Sequence, residues 1–390
     1  MFLSIDYRSR VEKIQEALTR NNIDVIVATR QISLSHLTGV FNPEIWRAAV
    51  ILPKTGKPFL ITMNDDVERV KHEMGLDVES IYTWNRGFAH PTFIETLIKA
   101  LKEKGCPLNT IGVEMELPIA RGLLTVPEYF ALTKEFNNSK FVDVVDTLDR
   151  IISINDKPAI EYIRRACEIG DIGIEAAIGA IGIGKTETQV AAAADYAMRF
   201  AGNEFSWSET SGTEIASGYR AYYYHGVCHP ASQKFIQRGD MIAIDVHPTY
   251  NNYINDSRCT AILGTPNADQ LKLEKFGQEI MNRVIEAIKP GVPMKKVSLI
   301  GREIETSHEY GKFAVPTFGH GFGPCSGGMH PNTINEESEN IFEENQIMVI
   351  HKHIPIPKLG TWTFEMPILV VKDGVELLGK FPLEVRRIEV

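Results

Sequence analysis

The chain has 390 residues, of which 44% are apolar and 23% are charged, a composition typical of a soluble globular protein. The 50 acidic residues outnumber the 41 basic ones, and the formal net charge is −9. This charge argues against a nucleic-acid-binding protein, because such proteins present a basic surface to phosphate. No segment approaches the ~20 consecutive apolar residues that span a bilayer, so we expect no membrane partner.

The amino terminus has no basic region followed by a long apolar run, so the sequence predicts no secretory signal. The cysteines are odd in number and never form a C-x-x-C pair, and they stand at positions 106, 167, 228, 259 and 325. Such spacing favours a reducing compartment over a disulfide framework or a zinc finger. The sequence therefore predicts a cytoplasmic protein.

Helix and strand patterns alternate over the first 150 residues. Apolar residues at Val11, Ile14 and Leu18 have helical spacing, and the segment Pro53–Pro58 reads as a hairpin turn between two apolar runs. The predicted elements are a helix over 7–20, a strand over 24–28, strands over 48–52 and 59–62, a helix over 92–104 and a strand over 110–114. This alternation predicts an α/β domain over residues 1–152.

A different organisation begins near residue 152. Asp156 can cap a helix whose first turn contains Pro158. Long helical patterns follow at 158–182, 186–202, 267–288 and 293–309, with strand patterns at 241–246, 261–263, 346–351 and 363–371. The sequence therefore predicts a second domain over residues 153–390.

The segment from Gly179 to Thr186 matches the phosphate-loop pattern G-x-x-x-x-G-K-[ST]. That loop functions where a buried strand leads into a helix, whereas the residues before Gly179 have a helical pattern. Thr186 and Gln189 have the spacing of a capping box. We therefore interpret the segment as the end of one helix and the start of the next, and predict no nucleotide site.

Histidine is concentrated in the second domain, where eight of the eleven lie between positions 225 and 353. Asp245 ends an apolar run, and Asp256 follows eleven residues later, beyond a turn-forming segment. This arrangement predicts two carboxylates on neighbouring strands. Such a pair needs a cation, or one carboxyl must hold a proton. Hard divalent metals accept these oxygen ligands, and imidazole suits Zn, Mn, Co or Fe.

Three further residues could carry chemistry, although a glycine-rich turn with an exposed histidine is an equal alternative for the first of them. His320 lies within Gly-His-Gly, and glycine on both sides allows a close backbone approach to a ligand. His330 follows ten residues later. Glu365 interrupts an apolar strand pattern, where an unpaired buried carboxylate would be costly.

The order Asp245, Asp256, Gly-His320-Gly, His330 and Glu365 resembles the pita-bread metallopeptidase superfamily, which includes aminopeptidase P, prolidase, methionine aminopeptidase and creatinase. The resemblance implies an α/β N-terminal domain of the creatinase and prolidase type. It also implies an α+β pita-bread C-terminal catalytic domain, with helices outside a curved antiparallel sheet and the site in its concave face. A homodimer is implied as well.

The resemblance also implies roles for individual residues. Asp245, Asp256, His320 and Glu365 match the metal-ligand positions, and Asp256 and Glu365 match the carboxylates that bridge two metals. His330 matches the imidazole that contacts the substrate. His225 or His229 matches an upstream histidine that faces the scissile group, and the sequence leaves the choice between them open.

The chain departs from the family pattern in the penultimate strand, where a Glu-Pro pair supplies a further ligand. Here the strand reads Met348-Val-Ile-His-Lys-His353, and we expect His353 to take the place of that Glu, with His351 on the same side of the strand. A neutral ligand in place of an anionic one weakens binding of a second cation. The predicted cofactor is Mn, Zn or Co, with one or two ions, and the missing Glu leaves a mononuclear or an empty site as alternatives.

Two further features are similar to the creatinase branch, whose amidohydrolase works without metal. His247-Pro248 follows Asp245 and Val246. Arg47 matches an N-domain arginine that reaches the neighbouring subunit's site and holds a substrate carboxylate, a task that suits its planar fork, although an arginine flanking a strand is an equal alternative.

Three functions follow from these observations. The first is a metal-dependent Xaa-Pro dipeptidase or aminopeptidase acting on a short peptide. The second is a creatinase-like or ectoine-hydrolase-like amidohydrolase acting on a small molecule, with histidine as general acid or base. The third is a non-enzymatic module, and retention of all four ligand residues argues against it. The first ranks highest by analogy with the larger branch.

Overall fold

The computed structural model describes residues 4–40, 47–87, 89–115, 123–207, 212–223, 230–324, 326–329 and 332–389. The chain divides into two compact units, with the change from one to the other between Ile152 and Ser153. Among the described residues, no helix is long and apolar enough to cross a membrane.

The N-terminal unit contains a six-stranded mixed sheet and its flanking helices. Its helices are α1 (Tyr7–Arg20), α2 (Gln31–Thr38), α3 (Val67–Glu73), α4 (Phe93–Glu103), α5 (Val126–Glu135) and α6 (Val145–Ile152). Its strands are β1 (Val25–Ala28), β2 (Ala49–Pro53), β3 (Phe59–Met63), β4 (Ser80–Trp84), β5 (Thr110–Val113) and β6 (Lys140–Asp143). The strand order is β4-β3-β2-β1-β5-β6, and β2 pairs antiparallel with both of its neighbours.

A buried polar cluster lies within this unit. The Arg30 guanidinium donates to Glu114 at 2.8 Å and to Asp149 at 2.5 Å, and the Ser33 hydroxyl also donates to Glu114. All of these side chains are buried. Because each charge has a partner of opposite sign, the cluster avoids the cost of an unpaired buried ion.

The C-terminal unit contains a larger, mainly antiparallel sheet. Its helices are α7 (Lys157–Ala180), α8 (Glu187–Phe200), α9 (Tyr219–Tyr223), α10 (Ala268–Ala287) and α11 (Met294–Thr306). Its strands are β7 (Glu214–Ser217), β8 (Met241–Val246), β9 (Thr249–Tyr250), β10 (Tyr253–Ile254), β11 (Ser257–Leu263), β12 (Gly319–Gly323), β13 (Ser326–Met329), β14 (Ile347–Ile356), β15 (Gly360–Val371), β16 (Gly374–Leu377) and β17 (Arg386–Ile388).

The main path of this sheet runs β13-β12-β14-β15-β11-β8-β7, with β16 on β15 and β17 on β11. The hairpin of β14 and β15 is the longest pairing, and its register sets His351 opposite Glu365. The short hairpin of β9 and β10 lies between β8 and β11 in sequence. This hairpin is the turn that the sequence predicts between Asp245 and Asp256.

The two faces of this sheet differ in polarity. Ile244, Ile350, Phe364 and Met366 belong to an apolar core together with residues of α7, α8 and α10. Helix α10 approaches closely, since a Cβ atom on Gly277 would lie 2.3 Å from the Trp362 ring. Because successive side chains in a strand alternate between faces, the residues between these apolar positions point to the opposite face, here called the site face.

The long helices predicted after residue 152 are present within two or three residues of their predicted ends. Gly179 lies in the last turn of α7 rather than after a strand. Thr186 and Gln189 form the reciprocal hydrogen bonds of a capping box at the start of α8. The interpretation of the phosphate-loop match as a helix end followed by a helix start is therefore correct.

Candidate metal centre

Five residues form one row across five neighbouring strands of the site face. Glu214 pairs with Asp245, Asp245 with Arg258, Arg258 with Glu365, and Glu365 with His351. Paired residues of adjacent strands share a face of the sheet, so these side chains meet although they are distant in sequence. All five are buried, and Asp245 is only 1% exposed.

Asp256 lies one residue before β11 and therefore next to this row. Its Oδ1 atom is 3.7 Å from Nε2 of His247, and that nitrogen is 3.2 Å from Oδ2 of Asp245. His247 follows Asp245 by two positions, which gives both side chains the same direction. Asp245 and Asp256 thus come together as the sequence predicts, with His247 between them.

His320 enters the site from β12. The preceding Gly319 has a φ of 153°, and a Cβ atom there would lie 2.4 Å from the Val349 carbonyl oxygen, so only glycine fits. Nδ1 of His320 lies 3.1 Å from the Gly321 carbonyl and can donate to it. Its Nε2 then faces two carboxylates, at 3.4 Å from Glu365 and 3.6 Å from Asp256.

Among the residues that the structure describes, three groups of side chains on the site face have their ligand atoms within 4.8 Å of one another. The groups are Asp256 with His320 and Glu365, Asp245 with His247 and Asp256, and His351 with His353 and Glu365. Asp256 and Glu365 each belong to two groups. The set combines carboxylate and imidazole donors, which suits Zn, Mn, Co or Fe rather than calcium or magnesium.

The charges of the site shift the pKa values of its members. Burial raises the pKa of Asp256 to about 7, and the nearby Glu365 carboxylate adds to this effect. Burial would lower the pKa of His320, but its hydrogen bond to Glu365 and the charge of Asp256 raise it to about 9. Burial would raise the pKa of Glu365, but Arg258 and His320 hold it well below its usual value.

The two histidines of β14 are neutral at physiological pH. Burial lowers the pKa of His351 to about 3, and burial together with the Arg258 charge lowers that of His353 well below its usual value. Their rings stack with centroids 4.9 Å apart, and the His351 ring lies 5.5 Å from that of His320. A neutral imidazole is the form that binds a metal ion.

Several buried polar atoms of the site have no hydrogen-bond partner among the described residues: Oδ1 of Asp245, Nδ1 of His247 and Nδ1 of His351. Unsatisfied buried polar atoms are rare in folded proteins and call for an explanation such as a bound ion or water. The donor types, their spacing and these free atoms fit a divalent cation.

Both histidines of β14 lie near Glu365, whereas the sequence predicts that only His353 takes the place of the Glu found in the penultimate strand of the family. His353 has its Nε2 atom 3.8 Å from Glu365, while its Nδ1 contacts the Thr363 hydroxyl. His351 is the residue directly opposite Glu365 in the strand pairing. The role of His353 as a ligand stays a prediction, and His351 is a second candidate for that place.

The roles predicted for four further residues stay predictions. His225, His229 and His330 lie outside the described residues. Arg47 belongs to the N-terminal unit, where its guanidinium pairs with Glu128, donates to the Leu123 carbonyl and lies over the Phe93 ring. Its proposed contact with the substrate of a neighbouring subunit stays a prediction.

Arg258 and Glu214 are members of the site that the sequence reasoning missed. The available signal was strand alternation, because Arg258 follows Asp256 by two residues and so shares its side. Glu214 gave a similar signal as a carboxylate directly before the apolar Ile215-Ala216. Neither could be assigned a partner until the strand order was known.

Comparisons with known proteins bear on this arrangement. Residues 161–372 match the model of metallopeptidase family M24, and residues 10–151 match the creatinase/prolidase N-terminal domain. The chain belongs to metallopeptidase family M24. A Xaa-Pro dipeptidase of Pyrococcus horikoshii is 30% identical, with 95% of this chain and 97% of that protein covered. A Xaa-Pro dipeptidase of Pyrococcus furiosus is 29% identical, with 96% and 98% covered.

A solved structure of a prolidase is also similar to this chain in its fold. The crystal structure of the prolidase from Pyrococcus horikoshii OT3 superposes with a TM-score of 0.81 at 29% identity, covering 96% of this chain and 99% of that chain. The predicted family and the fold class, an α/β domain followed by a pita-bread domain, are confirmed. The predicted class of enzyme, a hydrolase resembling Xaa-Pro dipeptidases, is confirmed as well.

Proposed function

We propose that this M24 protein is a metal-dependent dipeptidase that hydrolyses the amide bond preceding proline in Xaa-Pro dipeptides. The observation that carries the proposal is the meeting of Asp256, His320 and Glu365, with Asp245 beside them, on one face of a sheet. Full-length similarity to two Xaa-Pro dipeptidases supports the choice of substrate.

The residues divide the catalytic work as follows. Asp256, His320 and Glu365 would hold the cation, with His351 as a neutral neighbour. A divalent ion held there would supply a Lewis acid and would lower the pKa of water, so that a nucleophile becomes available near neutral pH. His320 presents Nε2 to this site because its Nδ1 is directed at the Gly321 carbonyl. We propose His330, and His225 or His229, as the imidazoles that contact the scissile group.

A second candidate is an amidohydrolase that opens a C–N bond in a small molecule without a metal. The observation that favours it is the presence of His351 and His353 where the family resemblance implies a carboxylate. Histidine can transfer protons as a general acid or base at neutral pH. The proximity of two carboxylates, Asp256 and Glu365, to His320 argues more strongly for a cation, so this candidate ranks second.

A substrate panel with and without chelator separates the two candidates. The purified protein is assayed on Ala-Pro, Gly-Pro and the matched control Ala-Ala, and on creatine and ectoine. We expect cleavage of the proline dipeptides, loss of activity with chelator and recovery with Mn²⁺, Co²⁺ or Zn²⁺. Turnover of creatine or ectoine that chelator leaves intact would reject the dipeptidase in favour of the second candidate.

The assembly and location of the protein belong to the same proposal. We propose a homodimer, on the resemblance to prolidases and creatinase stated above, and a cytoplasmic location, on the spacing of the cysteines. Sedimentation velocity of the full chain tests the assembly, with a dimer mass expected. A monomer mass at assay concentration would contradict it.

A further inference from the structure

Arg258 occupies the centre of the acidic row on the site face. It lies on β11 between Asp245 of β8 and Glu365 of β15, directly opposite both. Its Nη2 atom contacts Oδ2 of Asp245, and its Nε is 3.6 Å from Oε2 of Glu365. Nη2 also lies 4.0 Å from Oε2 of Glu214, and Nη1 lies 3.5 Å from Nδ1 of His353.

This guanidinium is fully enclosed, since Arg258 is only 2% exposed. An arginine remains charged under all physiological conditions, so its positive charge is a fixed part of the site. Burial of such a charge is tolerated only when carboxylates surround it, which Asp245, Glu214 and Glu365 do here. Arg258 therefore balances the same carboxylates that a cation would otherwise have to balance.

The carboxylate oxygens of the site divide between two sides. Oε1 of Glu365 faces His320, whereas Oε2 faces Arg258 and His353. Oδ2 of Asp256 also faces His320. The side toward His320 thus has two carboxylate oxygens and an imidazole nitrogen available for one ion.

The Arg258 guanidinium fills the other side of the site, between Asp245 and Glu365. A divalent ion shared by these two carboxylates would stand ~2.0–2.6 Å from an oxygen of each. The nitrogen atoms of Arg258 lie in that interval between the two strands. An ion there would meet the guanidinium at short range, with repulsion between like charges.

We propose that Arg258 takes the place of one of the two cations implied by the family resemblance. The chain then binds a single catalytic divalent ion at Asp256, His320 and Glu365. The inference rests on the proposed metal-dependent function and specifies its metal site. It also assigns Glu214 as a positioning residue that helps to hold the guanidinium in the row.

The test is the number of ions bound by the full-length protein. The chain is freed of metal, titrated with Mn²⁺ alone and examined by calorimetry, by elemental analysis after desalting and by electron paramagnetic resonance. We expect about one Mn²⁺ per wild-type chain, with the spectrum of an isolated ion. About two ions with a spin-coupled spectrum, or no bound ion, would overturn the inference.

Two variants sharpen the test. Arg258→Thr removes the guanidinium and opens the space between Asp245 and Glu365, so we expect about two Mn²⁺ per chain. The matched control Arg164→Thr removes an arginine that pairs with Glu376 away from the site, and we expect about one ion, as in wild type. Folded Arg258→Thr protein that binds no more Mn²⁺ than wild type would contradict the proposal.

A thermal readout accompanies the stoichiometry. Removal of Arg258 leaves buried carboxylates without its positive charge. The metal-free Arg258→Thr variant should therefore have a lower melting temperature than wild type, and Mn²⁺ should raise that temperature by more than it does in wild type. If this variant does not fold, the wild-type stoichiometry alone decides, as stated above. Since no substrate is used, a chain that binds one ion but cleaves no Xaa-Pro dipeptide would reject the proposed function and leave this inference standing.

Discussion

Glu365 and Asp256 divide their oxygen atoms between different neighbours. Glu365 faces His320 through Oε1 and Arg258 through Oε2, while Asp256 faces His320 through Oδ2 and His247 through Oδ1. Each neighbour is a cation or can become one, so negative charge is compensated on every side. Such mutual compensation allows four carboxylates to be buried together in one sheet.

His320→Ala tests the most exposed member of the ligand set. The variant removes the only imidazole in the group with Asp256 and Glu365. We expect affinity for Mn²⁺ to fall by at least about 100-fold, because loss of even an outer partner of a ligand costs 10–100-fold. Calorimetric titration measures it, and His72→Ala, an exposed histidine of α3, is the control. Unchanged affinity in His320→Ala would exclude His320 as a ligand.

The pH dependence of metal binding follows from the raised pKa of His320, about 9. Below that pH the imidazole carries a proton on the nitrogen that a cation needs, so binding must release this proton. Affinity should therefore rise with pH, by up to about 10-fold per unit near pH 8, and more steeply below pH 7, where the Asp256 carboxyl, with its pKa raised to about 7, must also lose a proton. Titrations in buffers of different ionisation enthalpy count the protons released. An affinity independent of pH would show that His320 is already unprotonated.

At this scale the sequence predicted the residues that carry recognisable motifs. Asp245, Asp256, His320 and Glu365 stand in a characteristic order, and Asp245, His320 and Glu365 each adjoin an apolar or glycine-rich run. Arg258 gave no such signal, because an arginine in a strand is usually solvated. Its place between two carboxylates depends on the register of β8, β11 and β15, which no local pattern encodes.

At the scale of elements, β14 serves both faces of the sheet. His351 and His353 point to the site face, while Lys352 between them points to the other side and pairs with Glu305 of α11. Lys352 also donates to the Thr317 carbonyl at 3.2 Å and lies over the Phe318 ring. Burial lowers the pKa of this lysine to about 8. The pair thus fixes the strand that carries the two site histidines.

Lys352→Met should destabilise the protein strongly. It removes one of the two cations that pair with the buried Glu305 and leaves only Arg302 beside that carboxylate. Breaking a buried pair costs up to about 3–5 kcal/mol of unfolding free energy. The double variant Lys352→Met/Glu305→Leu removes both charges and should recover most of that loss. Urea denaturation measures the change. Lys272→Ala, which breaks an exposed pair with Glu309, is the control, and we expect it to leave the denaturation midpoint almost unchanged. A single variant as stable as wild type would contradict this role.

The elements that the sequence predicted well have strong local signals. The start of α8 follows from the spacing of Thr186 and Gln189, and the β2–β3 hairpin from its Pro-Gly-rich turn. Helix α2 was missed because it is buried on all sides and has no amphipathic pattern. Short strands such as β7 and β12 were also missed, since four or five residues carry little periodicity.

At the scale of the whole molecule, each unit has its own apolar core. Strands β1, β2, β3 and β5 build the core of the N-terminal unit with α4, whereas the larger core of the C-terminal unit lies under the site. Every proposed ligand that the structure describes belongs to the C-terminal unit. The proposed metal site is therefore formed by the sheet of the C-terminal unit.

Cation binding should stabilise the folded chain, because the site exists only when the sheet is formed. At a free Mn²⁺ concentration 100 times the dissociation constant, the expected gain is about 2.7 kcal/mol. Thermal unfolding with Mn²⁺ and with chelator measures the difference, and His320→Ala should lose most of it. Equal melting temperatures in the two conditions would indicate that no cation binds the native state.

Anomalous X-ray scattering from crystals grown with Mn²⁺ or Zn²⁺ tests the central claim most directly, since it locates the ion without any assumption about activity. The account predicts a strong peak ~2.0–2.2 Å from Asp256, His320 and Glu365, with the Arg258 guanidinium still between Asp245 and Glu365. A peak between Asp245 and Glu365 with Arg258 displaced, or no peak on the site face, would contradict it.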